Sequence, residues 1–246
     1  MSSSGVDLID RLLMKLRVRD DISAEEEAAL RGVLGEVQTF PADHTFVRPR
    51  QHLNVSTLLL EGLMCRFKDL SEGQRQITEI HVPGDFADLH SFTLKYLDHG
   101  LMTLTPCKFA FSEHEKLKKL TAEYPHLARM LWFSTNLDAA IHREWEVSLG
   151  RRTALERTAH LFCELQVRLG TVGLASEREY ALAITQLELA ECLGLTSVHV
   201  NRVLKELRER KLVEFRSSKV QIFDLPELRR LAEFDPAYLY LDKQPR

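Results

Sequence analysis

The sequence predicts an α+β protein in three consecutive parts: an N-terminal antiparallel β-roll, a long helix, and a C-terminal winged helix-turn-helix. Three observations carry this. Residues 37–111 break into short alternating segments with turn punctuation, and residues 126–149 run on as one uninterrupted helical pattern. Residues 185–222 read as a helix, a tight turn, a second helix and a short β-hairpin. The expected division is 1–125 for a sensing roll with N-terminal helices, 126–150 for a dimerisation helix and hinge, and 151–246 for a DNA-binding domain.

In the first forty residues, Leu8, Leu12, Leu13 and Leu16 form one helical stripe. Ser23 with Glu26 makes a capping box ahead of EEAALRGVL. The segments VQTF, HTFV, STLLLEGLMCRFKDL, RQITEIHV and MTLTPCKFAF then read as strands, separated by PAD, SEGQ and PGD. Short strands at such close spacing suggest a small antiparallel roll or barrel. FSEHEKLKKLTAEYP adds one short helix.

After Pro125 the helical run spans about six turns. Leu127, Met130, Ser134, Leu137, Ile141 and Ser148 fall near alternate three and four spacings, with Glu144 interrupting. Such a seam is expected to be a dimer contact; the alternative is one helix lying on the roll. Gly150 is read as a hinge. A helix from Arg152 to Leu169 would turn Ala154, Leu161, Phe162 and Leu165 inward, and GTVGLASEREY reads as a polar connector.

The segment that follows is the most informative in the chain. Thr185 and Glu188 form a capping box, Leu187, Ala190 and Leu193 recur at helical spacing, and Gly194 supplies a left-handed stop. Thr196 is placed to cap the second helix, whose buried side is Val200, Val203, Leu204 and Leu207. Its other face carries Ser197, His199, Asn201, Arg202, Lys205 and Arg208, a set suited to a major groove bordered by phosphates. KLVEF and KVQIF flank a polar turn, as a wing requires, and Arg216, Ser217, Ser218 and Lys219 at its tip offer phosphate donors. The expected DNA-contacting set is Thr196, Ser197, Val198, His199, Asn201, Arg202, Lys205, Arg216, Ser217 and Lys219. The bland alternative for a helix-turn-helix pattern is two packed helices, and the wing with its basic residues argues against it.

The 246 residues leave room for two modest domains. The net charge of −3 hides an asymmetry: from Gly150 onward there are 16 basic and 14 acidic residues, and before it 17 and 22. A weakly basic reader on an acidic sensor fits, with useful DNA affinity expected only from a dimer. No apolar run reaches membrane-span length and the first residues lack a signal-peptide layout, so a cytoplasmic protein without membrane contact is expected. Cys65, Cys107, Cys163 and Cys192 are scattered without a CxxC pair, so no zinc or iron–sulfur run is visible. They read as buried thiols, with a Cys65–Cys107 redox pair as the alternative.

The roll, long helix, hinge and winged helix-turn-helix together resemble the cyclic-AMP receptor and fumarate–nitrate regulator (Crp/Fnr) superfamily of bacterial transcription regulators. The resemblance is strongest at LELAECLGLTSVHVNRVLKEL, and it extends to HVPGDFADL and GRRTALERTAHLFCEL. It implies a cyclic-nucleotide-binding-like jelly roll and a homodimer that reads a palindromic operator with one recognition helix per subunit. A small-molecule or redox signal in the roll and contact with RNA polymerase are also implied. The effector segment would be Gly84, Asp85, Phe86, Ala87, Asp88 and Leu89, with His99 at the start of the second part, His99-Gly100-Leu101-Met102-Thr103. The family's arginine for a cyclic phosphate is missing there, so cyclic AMP is not expected. The N-terminal cysteine cluster of the iron–sulfur branch is absent as well, so that cofactor is not expected either. Family members commonly present an Arg-Glu pair early in the recognition helix and an arginine one turn on. Here the early pair is Ser197-Val198, and Arg202 matches the later arginine, pointing to a guanine edge.

His81, His90, His99, His114, His126 and His142 are candidate haem or metal ligands by residue type, yet none has metal-ligand spacing in sequence, and no metal is expected. No His-x-His cluster, phosphate loop or Ser-His-Asp pattern supports an enzyme. The remaining alternative is a metabolite- or haem-sensing module whose tail docks a protein partner.

Overall fold

The computed structural model describes residues 9–244. Helices α1 (Asp10–Arg19) and α2 (Ala24–Val33) precede the roll. Leu12, Leu13 and Leu16 are buried as their spacing predicts, while Leu8 lies outside the described residues. The Ser23 hydroxyl accepts from the Glu26 amide and the Glu26 carboxylate accepts from the Ser23 amide, so the predicted capping box starts α2.

The roll contains strands β1 (Val37–Phe40), β2 (Thr45–Val47), β3 (Val55–Glu61), β4 (Met64–Asp69), β5 (Arg75–His81), β6 (Gly100–Thr103) and β7 (Cys107–Glu113). They pair antiparallel into two sheets, β1-β7-β3 and β2-β6-β4-β5. Leu59, Met64, Leu97, Leu101, Cys107 and Phe109 fill the space between the sheets. A single turn of helix, α3 (Ser91–Leu94), follows the PGD segment, and α4 (His114–Glu123) is the predicted short helix.

Helix α5 (Pro125–Arg151) is 27 residues long, and it differs from expectation in two respects. It runs through Gly150, where an added Cβ would meet nothing within 4 Å, so no steric demand breaks the helix there. The chain turns instead at Arg152 and Thr153, both extended, and Thr153 caps the next helix. The stripe expected as the dimer seam is also turned inward. Leu127 and Met130 pack with α1, α2 and α4, and Ile141 joins Trp145 in the core beside β5. Ser134 is half-buried and hydrogen-bonds back to the Met130 carbonyl, and Leu137 is half-buried. Leu127, Met130 and Ile141 are thus buried within their own chain, while Ser134 and Leu137 keep part of their surface.

The C-terminal part contains α6 (Ala154–Thr171), β8 (Glu179–Ala181), α7 (Gln186–Leu193), α8 (Ser197–Glu209), β9 (Val213–Arg216), β10 (Lys219–Ile222) and α9 (Leu225–Ala232), then a 3-10 turn at Pro236–Leu239. Its sheet has the order β8-β10-β9, so the segment read as a polar connector ends in a strand that completes the wing. Tyr180 anchors that strand: its ring is buried and its hydroxyl donates to the Phe162 carbonyl. A single hydrophobic core joins β4, β5 and β6 of the roll to α6, α7 and α8. The winged part therefore sits against the sensor sheet. No helix among the described residues is long and apolar enough to cross a membrane.

Candidate nucleic-acid interface

Local signals build the reader as the sequence implies. The Thr185–Glu188 capping box opens α7, Gly194 closes it at φ 58°, and the Thr196 hydroxyl accepts from the His199 amide to open α8. On α8, Val200, Val203 and Leu207 are buried and Leu204 is half-buried. On α7, Leu189, Ala190, Cys192 and Leu193 turn inward, whereas Leu187 is 60% exposed. Leu187 lies in the first turn, on the side of the helix away from the core.

The opposite face of α8 is open. Val198 is 74% exposed, and Asn201, Arg202, Lys205 and Arg208 are exposed with it, while Ser197 and His199 are half-exposed. Asn201 spends one side-chain donor on the Ser197 carbonyl. Lys205 lies 3.7 Å from Glu209 and Arg208 3.8 Å from Glu214, contacts long enough to yield to a phosphate. Arg202 has no ion pair among the described residues, so its guanidinium fork is available to a base edge.

At the wing, Ser217 (φ 52°) and Ser218 (φ 58°) are the two central residues of the β9–β10 turn. Two consecutive left-handed residues match the right-handed twist of the flanking strands. Arg216 and Lys219 pair across the turn, and both are exposed. The Lys219 amine is 2.8 Å from Glu179 on β8, so part of its charge is already answered within the wing.

The sensor segment is built differently from an anion cradle. Gly84 adopts φ 93°, and a Cβ there would sit 2.8 Å from the Arg11 carbonyl oxygen, so only glycine lets α1 approach. Asp85 through Leu89 are buried. Asp85 faces Lys15 and Arg168, and the Ala87 carbonyl accepts two donors from Arg66. Asp88 accepts from the Thr57 amide and hydroxyl, and burial pushes its carboxyl up to about 7. His99 meets His90, with the two Nε2 atoms 3.2 Å apart, and burial lowers both imidazoles, to about 4 and about 3. The carboxylates of Asp85 and Asp88 and the Ala87 carbonyl are thus engaged by groups of the chain itself.

The other candidate histidines are dispersed. His114 hydrogen-bonds the Ser56 and Ser91 hydroxyls, His126 faces Glu26 and Asp20, and His142 faces Glu79. Among the described residues, no three His, Cys, Asp or Glu side chains are arranged to hold a metal ion. All four cysteines are buried free thiols, and burial pushes each upward, Cys107 to about 11 and Cys163 to about 12.

An exposed recognition helix with a basic wing, docked on a β-roll through a long helix, defines a class: a two-part DNA-binding transcription regulator. Residues 156–231 match the Crp-like helix-turn-helix domain family. The chain is 29% identical over 175 residues to the nitrogen fixation regulation protein FixK of Azorhizobium caulinodans, covering 71% of this chain and 70% of that one. It is 27% identical over 174 residues to the transcriptional activator protein anr of Pseudomonas aeruginosa, covering 70% of each. In fold it is similar to FixK2 from Bradyrhizobium japonicum, with TM-score 0.73 at 23% identity, covering 80% of this chain and 96% of that one. Residues 156–231 thus match a Crp-like helix-turn-helix domain, and over about 70% of its length the chain is similar to regulators of the Crp/Fnr kind. These relatives are transcription regulators, which are not enzymes.

Proposed function

We propose that the protein is a homodimer that reads a palindromic operator, one α8 per half-site, and that it regulates transcription through contact with RNA polymerase. The observation that carries this is the division of α8 into a buried apolar side and an exposed side bearing Val198, Asn201, Arg202 and Lys205. Arg202 reads a guanine edge, Val198 meets a thymine methyl, and Ser197 and His199 take adjacent base or phosphate positions. Thr196, Arg216, Ser217 and Lys219 hold the backbone, and Lys205 adds a phosphate contact from α8.

The dimer forms through the exposed side of α5. Trp132, which is 69% exposed, and Asn136, Ala139, Arg143 and Val147 recur at spacings of four, three, four and four on that side. Any signal enters through the roll at residues 84–89 and His99. The internal pairing of that segment favours a signal other than cyclic AMP.

Selection of random duplex DNA by the purified chain, without added ligand, tests the reading. A palindrome with half-sites about one helical turn apart is expected. Recovery of unpaired half-sites would sink the dimer, and absence of enrichment in both purified protein and cell extract would sink the DNA reading.

A further inference from the structure

Two histidines of the roll, nine positions apart, meet at a place that belongs to neither α8 nor the wing. His90 precedes α3, and its carbonyl accepts from the Thr93 and Leu94 amides, so the helical turn fixes its backbone. His99 precedes β6, whose Gly100 pairs with Phe67 of β4. The two Nε2 atoms are 3.2 Å apart, the ring centroids are 5.5 Å apart, and the ring planes are inclined by 49°. Each ring thus directs the same nitrogen at the other.

Two imidazoles bound to one tetrahedral ion, each at about 2.0–2.1 Å, place their nitrogens about 3.3 Å apart. The observed separation fits that span. A hydrogen bond between the rings needs one proton on the line joining them, and a metal ion can take the place of that proton with both lone pairs directed at it. The other ring nitrogen of His99, Nδ1, faces the Gly100 carbonyl at 3.5 Å, the kind of partner to which a ligand histidine donates its remaining N–H. Both residues are half-buried, and His90 also lines a cleft of about 400 Å³ against α4 and α5, so solvent has access to the pair.

We propose that His90 and His99 form a two-imidazole site for a divalent transition-metal ion of the copper and zinc kind, with water in its other positions. No third His, Cys, Asp or Glu side chain among the described residues is arranged to join them, so the ion keeps an open coordination sphere. The donors select the ion. Two neutral nitrogens suit copper, nickel and zinc, whereas magnesium and calcium call for a set of oxygen ligands. As the name of a signal class for His99, this rests on the reading of the roll as the sensor; the binding itself does not.

The surrounding charges admit a cation. Arg66, Asp98 and His142 are the further groups whose fields reach both rings. Arg66 opposes a positive ion, but its guanidinium is answered by Asp138 at 2.7 Å. Asp98, next to His99 in the chain, adds negative potential, and its ion pair with Lys68 at 2.6 Å joins two exposed side chains and is weak enough to yield. A bound ion would tie the turn of α3 to the start of β6, two segments joined here through these two rings.

The test uses the full chain, purified without a histidine tag and stripped of metal by a chelator. Calorimetric titration with Cu2+ should give one site per chain, Zn2+ should bind there more weakly, and Mg2+ should not compete. Electron paramagnetic resonance of the Cu2+ complex should show two imidazole nitrogens. His90→Asn and His99→Asn should each abolish the site, while His44→Asn, at an exposed position on the roll, should leave it intact. Zn2+ should raise the melting temperature of the unaltered chain and leave that of His90→Asn and His99→Asn unmoved. If one of the two variants does not fold, the other carries the comparison. No binding of Cu2+ or Zn2+, binding that survives in either variant, or a spectrum with a single nitrogen would overturn the proposal. Binding is read without DNA, so its failure and a failed operator selection remain distinct.

Discussion

The side-chain amide of Gln76 on β5 donates to the carbonyl oxygen of Glu191 at 2.7 Å, with the Cys192 carbonyl at 3.3 Å. Those carbonyls end α7, where a helix has no intrahelical donors left to offer. A sensor residue thus caps the first helix of the DNA reader.

Gln76→Ala leaves the α7 carbonyls without that donor and should cost about 1 kcal/mol. The loss should appear as faster amide exchange in α7 and β5, with the wing strands unaffected. Gln76→Glu should be worse, because a carboxylate would face a carbonyl oxygen.

Two basic residues of the reader should separate by kind of contact. Arg202→Ala should weaken operator binding by about 1–3 kcal/mol and relax the preference at one base position. Arg216→Ala should weaken all sequences alike and reduce the salt slope by about 1. Binding isotherms on the selected site and on single-base variants, at several salt concentrations, distinguish the two. An unchanged base preference in Arg202→Ala would remove that residue from base reading.

The two sides of α5 should also separate. Trp132→Arg should shift sedimentation toward the monomer while thermal stability stays nearly constant, since Trp132 is exposed within the subunit. Leu127→Ala, at a fully buried position, should cost about 2–5 kcal/mol of folding stability instead. A dimer unaffected by Trp132→Arg would place the two-fold contact elsewhere.

The wing turn should tolerate improvement. Ser218 sits at φ 58°, where a side chain is disfavoured by about 1 kcal/mol, so Ser218→Gly should stabilise the hairpin. Chemical denaturation should show a higher midpoint, and loss of stability would show that the Ser218 side chain has a role in the turn.

Acid should destabilise the fold in a defined window. Burial holds His81, His90, His99, His142 and His160 below their usual range. A depressed imidazole stabilises the fold while neutral, and that contribution is lost as pH falls below the unfolded value of about 6.5 toward about 4. Glu79 and Asp88, raised to about 8 and about 7, act in the opposite sense, gaining stability as pH falls toward the ordinary carboxylate range. Depressed imidazoles, with His114 added to these, outnumber raised carboxyls, with Glu191 added, so melting temperature should fall between about pH 6.5 and pH 4, most steeply at the lower end. A flat profile over that interval would contradict the burial of these rings.

Where signals were local, the sequence was legible. Capping boxes at Ser23, Thr153 and Thr185 involve residues three apart, and the Gly194 stop and the Val200–Val203–Leu207 stripe follow from helical geometry. Of these, the Thr153–Glu156 box was missed because Gly150 suggested a break slightly earlier. Strand β8 was missed because Glu179 and Ala181 face solvent and only Tyr180 marks the buried side. Helix α9 carries its own signals, Asp224 as cap and Pro226 in the first turn, but they lie among aromatic and charged tail residues with no long apolar stripe to mark a helix.

The sequence alone determined the class of protein, because a helix-turn-helix and its wing are specified by spacings within a few residues of one another. Which side of α5 is free, and which groups surround Asp85, were decided only in the tertiary structure. A helical stripe such as Leu127, Met130 and Ile141 has the same period whether it meets its own roll or a second subunit. Lys15, Arg66, Glu79, Asp85 and Arg168 are scattered over more than 150 positions, and a charge acquires its meaning only from what burial places within a few ångströms of it.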